Sequence, residues 1–342
     1  MSLTEDVKRK AIELGFDLVG VTDASPIDSR QVQLLNTWLA SGFAGQMDYM
    51  HRNLDKRMNP AKLLENAQSV IVVGLNYKPP TQNQPHAATP TGRVASYAQY
   101  EDYHPFVKTR LRRLTDFVGS LAGPGHRFKI CVDSAPVAER ALAARAGLGF
   151  IGKNHVLINP ALCPQIFLGE IITTVKLQFD QPAYCHSERS KAQSRNLLPE
   201  TRAASAEQQG IESTSNKCTN CTRCITVCPT GALRADGQVD ATKCINYLTI
   251  EHRDEIDADL AEKIGNRLFG CDECVLACPY QQDAPVCRNQ EFKFHRDRAA
   301  LSLQRILDMN ERDFGAAFAD SVIKRTGLDG LKRNARICLA NI

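Results

Sequence analysis

CTNCTRCITVCPTGAL (218–233) spaces four cysteines as C-x2-C-x2-C-x3-C, with a proline after the last. A second run, GCDECVLACPY (270–280), gives C-x2-C-x3-C-P at Cys271, Cys274 and Cys278. Cys244 stands between them in ATKCINYLTI (241–250). Thiolates are soft ligands that hold iron-sulfur clusters, four to a cubane. The x2 spacings let a short loop put several sulfurs around one cluster. The cysteine before proline sits a turn away, and in two-cluster ferredoxins of this pattern it ligates the other cluster. On that rule Cys218, Cys221 and Cys224 take Cys278 as their fourth partner. Cys271 and Cys274 take Cys228, and Cys244 completes the set. CxxC spacing alone would also permit zinc. The two Cys-Pro endings and the crossing fourth ligand favour a pair of 4Fe-4S clusters.

The rest of the chain is too large to be a ferredoxin alone. Its 342 residues are enough for two domains with real cores. Eight of the 13 cysteines crowd into residues 218–278, which in a reducing cytosol argues for metal ligation over disulfides. Cys131, Cys163, Cys185, Cys287 and Cys338 are scattered and read as small buried hydrophobes. A net charge of +4 permits a polyanionic partner without demanding one. No apolar run approaches the ~18 residues of a membrane span. MSLTEDVKRKAIELGF mixes charges into a helical pattern, unlike a secretory signal. We expect a cytoplasmic protein with no membrane contact.

Residues 1–180 alternate helix and strand, which predicts a layered α/β or α+β domain. AIELGFDLVGVTDA (11–24) reads as a helix end, a glycine turn and a strand. SVIVVGLNY (69–77), RFKICVDSA (127–135) and IFLGEIITTVKL (166–177) read as strands. FVKTRLRRLTDFVGSLA (106–122) and PVAERALAARAGLG (136–149) read as helices, and 79–92 as a loop. Residues 181–216 are polar and poor in apolar side chains, so a flexible linker is expected. Residues 217–285 hold the cysteines. Residues 286–342 form the last segment, helical from 299, with Leu328, Leu331, Ala335, Cys338 and Ile342 on one face.

GLGFIGKN (147–154) has the spacing of a dinucleotide fingerprint in the wrong context. That fingerprint follows a strand and opens a helix, whereas here a helix precedes and the strand-like HVLIN follows. Tight turns that let the backbone approach a large ligand are the better reading. In CVDSAP, Asp133 falls where a strand ends and a helix begins. It is either a helix cap or a general acid whose partial burial raises its pKa. Glu139 and Arg140 read as an ion pair or surface charges.

VDSAPVAERALAARAGLGFIGKN, FLGEI, the cysteine block, CINYLTIEHR, GQMDYMHRN, VASYAQYEDYH and LKRNARICLAN together resemble the epoxyqueuosine reductase family, in order over nearly the whole chain. The resemblance implies an N-terminal α/β (α+β) cobalamin-binding domain, a ferredoxin-like domain with two 4Fe-4S clusters, and a short helical, HEAT-like C-terminus that contacts tRNA. It implies reduction of epoxyqueuosine at the wobble position of tRNA to queuosine. The partners implied are a tRNA with epoxyqueuosine in its anticodon loop and an unidentified electron donor. By the resemblance Asp133 is the proton donor and also contacts cobalamin, with Arg57, Leu157, Leu168 and Asn246. No D-x-H-x-x-G occurs, since Val107 stands where glycine is needed after Asp102 and His104, so a histidine ligand to cobalt is not expected.

Departures from the family fall at Cys163-Pro164-Gln165, Ser96 and Glu101, and in the long linker. Two basic groups, Lys108/Arg110/Arg112/Arg113 and Lys324/Arg325/Lys332/Arg333/Arg336, are solvated faces or phosphate contacts; the resemblance favours phosphate for the second. Two rival functions remain: a small-molecule corrinoid reductase of dehalogenase type, and a two-cluster electron carrier with no substrate of its own.

Overall fold

The computed structural model describes residues 2–80, 89–181 and 218–342. The first half runs α1 (Leu3–Glu13), β1 (Leu18–Asp23), α2 (Ser29–Ala40), α3 (Leu54–Met58), β2 (Ser69–Asn76) and β3 (Thr91–Val94). It continues with α4 (Tyr103–Ala122), β4 (Phe128–Cys131), α5 (Glu139–Arg145), β5 (Phe150–Ile151), β6 (Leu157–Ile158) and β7 (Ile166–Thr173). The second half holds α6 (Arg223–Thr226), α7 (Ile245–Ile250), α8 (Ala258–Ile264), β8 (Arg267–Phe269) and α9 (Glu273–Leu276). It ends with β9 (Ala300–Ser302), α10 (Leu303–Asp308), α11 (Glu311–Ala317) and α12 (Gly327–Ala340). The expected linker lies almost wholly outside the described residues, as do Cys185 and most of the 79–92 loop.

The main sheet has the order β1-β2-β7-β4, and every pair is antiparallel. The helix-strand alternation therefore builds an α+β layer structure, not parallel βαβ units. Strand β2 explains the layers. Its side chains alternate, so Ile71, Val73 and Leu75 face one core with Val7 of α1 and Leu111 and Leu114 of α4. Val70 and Val72 face the opposite core, with Leu142 and Ala143 of α5. Each such side chain contributes about 1.5–3 kcal/mol when fully buried. Glu170 of β7 is the exception: it is 0% exposed, on the face that carries Leu168 and Ile172.

A second sheet, β8-β3-β9, joins one strand from the first third of the chain, β3, to two from the last, β8 and β9. Its core holds Val94, Phe269 and Leu303 with Leu331, Ala335 and Cys338 of α12. The expected face of α12 is thus buried as far as Cys338, while Ile342 is 70% exposed beyond the helix. Two helix starts differ from expectation. α4 opens at Tyr103 because the Asp102 side chain caps it. α5 opens only at Glu139, because residues 133–138 make a tight turn first.

Candidate active site and metal centres

The cysteine runs fold as the spacing requires. α6 and α9 are single short turns of helix, each started by a CxxC loop. Pro279 ends the second: Cys278 before it has ψ 130°, an extended conformation that carries its sulfur away from its own run. Cys278 lines one pocket with Cys218, Cys221 and Cys224. The other four also gather. Cys244 feels the charge of Cys228, Cys271 that of Cys244, and Cys274 that of both Cys244 and Cys271. Backbone N–H groups point at these sulfurs: Glu273 at Cys271, Tyr280 at Cys278, and Asn246 and Tyr247 at Cys244. Such donors stabilise thiolates and tune the clusters they hold. Among the described residues no two cysteines form a disulfide. Among the described residues, no three His, Cys, Asp or Glu side chains converge tightly enough to hold a single metal ion. A donor set ringed around a pocket fits a cubane.

The second centre is the turn after β4. Asp133 has φ +51°, a left-handed conformation that aspartate tolerates better than most residues. The turn is held from behind, where the Asp133 N–H donates to Glu139 Oε1 at 2.6 Å. It is held from the side by His104, whose Nε2 lies 3.2 Å from Asp133 Oδ2. The other ring nitrogen, Nδ1, lies 2.7 Å from Asp102 Oδ1. Burial opposes a charge on this imidazole, but hydrogen bonds to Asp102 and Asp133 outweigh it and push its pKa up to about 9. The same His104 contact holds the Asp133 carboxyl below its ordinary range.

This corrects one expectation. The Asp133 side chain is 49% exposed and its pKa is lowered, because an imidazolium partners it. The raised acids stand behind it. Burial, then the charge of Asp133, pushes Glu139 up to about 7. Burial, then Glu139 and Asp133, raises Glu170 well above the carboxylate range, and neither Glu170 oxygen has a hydrogen-bond partner. The helix-cap alternative for Asp133 is also set aside, since the cap residue of α5 is Ala138.

Residues 57–134 match the family described as epoxyqueuosine reductase QueG, DUF1730, and residues 217–281 match the 4Fe-4S double cluster binding domain. The epoxyqueuosine reductase of Vibrio cholerae is 33% identical over 342 residues, covering 99% of this chain and 83% of that protein. The chain belongs to the epoxyqueuosine reductase family. The Escherichia coli epoxyqueuosine reductase is likewise 33% identical, over 99% of this chain and 81% of that one. Among solved structures, the Streptococcus thermophilus epoxyqueuosine reductase superposes with a TM-score of 0.82 at 27% identity, covering 100% of this chain and 82% of the other. An epoxyqueuosine reductase bound to an epoxyqueuosine-modified tRNA-Tyr stem loop gives 0.83 at 28%, covering 99% and 81%. A Bacillus subtilis epoxyqueuosine reductase with its catalytic aspartate loop swung out of the active site gives 0.82 at 26%, covering 99% and 81%. An iron-sulfur role for the cysteine block accords with the domain match.

The other residues that the epoxyqueuosine reductase resemblance singled out are distributed around the turn. Arg57 on α3 feels the charges of Tyr49, Glu139 and Asp133, and its buried Nε has no partner. Leu157 and Leu168 share the core beneath α5, so only their backbones are available to a ligand. Asn246 is exposed at the start of α7, with its Oδ1 against Gly270. The departures serve the interior. Cys163 Sγ–H donates to Asn76 Oδ1 at 3.5 Å, and Gln165 Oε1 accepts from Gln281 Nε2 at 2.6 Å. The Ser96 N–H donates to Asp272 Oδ2 at 2.6 Å, and Glu101 Oε1 accepts from the Lys293 N–H at 2.9 Å.

Two expected surface cations are internal. Arg110 is 7% exposed, lies 3.5 Å above the Phe106 ring and pairs with Glu291. Arg333 is 8% exposed and donates to the carbonyls of Leu248, His252 and Asp254. Lys108, Arg112, Arg113, Lys324, Arg325 and Arg336 are exposed. Sequence reasoning weighed His104 only as a metal ligand and assigned nothing to Glu170 or Lys153. The pair Asp102-x-His104 was the one visible signal.

Proposed function

We propose that this chain reduces the epoxide of epoxyqueuosine in tRNA to the alkene of queuosine. The observation that carries this is 33% identity to an epoxyqueuosine reductase over 99% of the chain, with Asp133 and the paired cysteine sets on the fold those enzymes share. Turning an epoxide into an alkene consumes two electrons and two protons and releases water. A cobalamin charged through two 4Fe-4S clusters supplies the electron pair.

The residues fit that division. Cys218, Cys221, Cys224 and Cys278 hold one cluster, and Cys228, Cys244, Cys271 and Cys274 the other. The corrin contacts are Arg57, whose orphaned buried Nε suits a ligand amide or phosphate, Asn246, and the backbones of Leu157 and Leu168. His104 has both ring nitrogens engaged by carboxylates, which favours a proton role over metal ligation. Asp133 Oδ2, at the exposed tip of the turn, hands the leaving oxygen the first of its two protons, the one that His104 Nε2 holds, and solvent supplies the second. Its loop position suits a group that reaches toward substrate. The helices α10–α12 form the HEAT-like segment. Lys332 and Arg336 of α12 meet phosphates, so binding weakens steeply as salt rises. A single anticodon nucleotide is splayed out toward Asp133. The setting is cytoplasmic, with a low-potential electron donor; among the described residues no helix is long and apolar enough to cross a membrane.

The test is complementation. The chain is expressed in bacteria lacking epoxyqueuosine reduction, and tRNA nucleosides are read by mass. The wild type should convert epoxyqueuosine to queuosine, and Asp133→Asn should not. Failure of the wild type, with both clusters and cobalt present in the purified protein, would favour a small-molecule corrinoid reductase. Purified protein that retains no cobalt would favour an electron carrier.

A further inference from the structure

The segment GLGFIGKN is not a nucleotide site in the fold. It is the β5–β6 hairpin, and its tip enters the first cysteine pocket: Lys153, Asn154 and Ile158 line that pocket beside Cys218, Cys221, Cys224 and Cys278. The Lys153 N–H donates to Cys218 Sγ at 3.4 Å. The ammonium Nζ donates to the carbonyls of Thr219 at 2.9 Å and Cys221 at 3.0 Å, both within the first CxxC loop. These acceptors are neutral carbonyls, so they orient the charge without cancelling it. Asn154, 7% exposed, donates from Nδ2 to the Cys274 carbonyl at 3.2 Å, in the second cysteine set. One turn of the catalytic half therefore touches both cysteine sets, and places its cation at only one.

We propose that Lys153 sets the reduction potential of the cluster held by Cys218, Cys221, Cys224 and Cys278, making it easier to reduce than it would be without this cation. The inference deepens the reading above and rests on that pocket holding a 4Fe-4S cubane. Reduction adds one electron to the cluster from an external one-electron donor, and no bond or proton need change place. The added electron raises the negative charge of the thiolate-bound cluster. A fixed ammonium and an N–H···S donor at its edge stabilise the reduced form, and charge and hydrogen bonds at the sulfurs are among the levers that set cluster potentials. The backbone N–H survives substitution, so side-chain variants isolate the charge.

The experiment is an anaerobic potentiometric titration followed by electron paramagnetic resonance on protein reconstituted with iron and sulfide. Signals are assigned against Cys244→Ala, which leaves only the first cluster. Lys153→Gln should keep both clusters and make the first harder to reduce by on the order of tenfold, about 59 mV for one electron. The second cluster should not move, and Lys153→Arg should stay near the wild-type potential. An unshifted first cluster in Lys153→Gln would overturn the proposal, as would equal shifts of both clusters. Loss of the first cluster from both variants would make Lys153 a structural clip and overturn it too. Wild-type protein that takes up no iron-sulfur would instead sink the underlying reading, and is told apart by its iron content.

Discussion

His104 lies between two carboxylates, and that placement sets where protons rest in the site. Its pKa of about 9 exceeds the ordinary 6.5, so its contribution to stability is full below pH 6.5 and is lost as pH rises through 9. Thermal unfolding should show wild-type stability falling across that window, and His104→Gln should be less stable below it and flatter within it. Asp133→Asn keeps the turn but cannot deliver a proton. Its turnover should fall by roughly 100-fold or more, the range typical of a lost general acid, with tRNA affinity and iron content unchanged. A variant with wild-type turnover would remove Asp133 from the chemistry. The position of Asp133 is legible from CVDSAP, because a strand that ends in a polar turn presents a carboxyl at its mouth. Its protonation is not legible. It depends on His104, 29 residues away along the chain, and on the more distant Arg325 and the neighbouring Tyr103, all of which lower it.

At the scale of elements, the crossing of the cysteine runs is the feature most open to test. Cys278→Ala should cost the cluster of the first run, and Cys244→Ala the cluster of the second. Iron analysis should find each variant with half the wild-type iron, and a Cys278→Ala protein that kept the full complement would contradict the crossing. The placing of Cys278 beside the first run follows from a local rule: the residue before proline leaves the helix, and its sulfur leaves with it. The hairpin β5–β6 was not readable. Its glycines suggested close backbone approach to a ligand, but the neighbours they approach are residues 154–159 and 180–181, and it is Lys153 that meets the distant cysteine loop. A Cβ on Gly149 would run into the Ile158 carbonyl, so Gly149→Ala should destabilise the protein by about 1–3 kcal/mol, seen as a lower denaturant midpoint.

At the scale of the whole molecule, the β8-β3-β9 sheet joins the first and last thirds of the chain, and Arg333 ties α12 to α7 and the loop after it. Arg333→Met would keep the apolar stem and strand three backbone carbonyls that now accept from a cation. Each such bond contributes about 1.5–3 kcal/mol, so a loss of at least roughly 4–5 kcal/mol is expected, read as a lower denaturant midpoint with the unfolding slope unchanged. The layered N-terminal architecture was legible because helical and strand periods alternate cleanly there. The antiparallel order and the shared second sheet were not, since strand pairing across about 200 residues leaves no local mark. The burial of Arg333 was hidden for the same reason: on a helical wheel it sits among the charged residues, and only tertiary contact with α7 makes it internal. The proposed chemistry requires electrons delivered through the paired cysteine sets to an epoxide beside Asp133. Its most direct test is an anaerobic turnover of the purified protein, loaded with iron-sulfur and cobalamin, on epoxyqueuosine-bearing tRNA with a measured supply of reductant. The account predicts one queuosine for every two electrons consumed; intact epoxyqueuosine after the reductant is spent would contradict it.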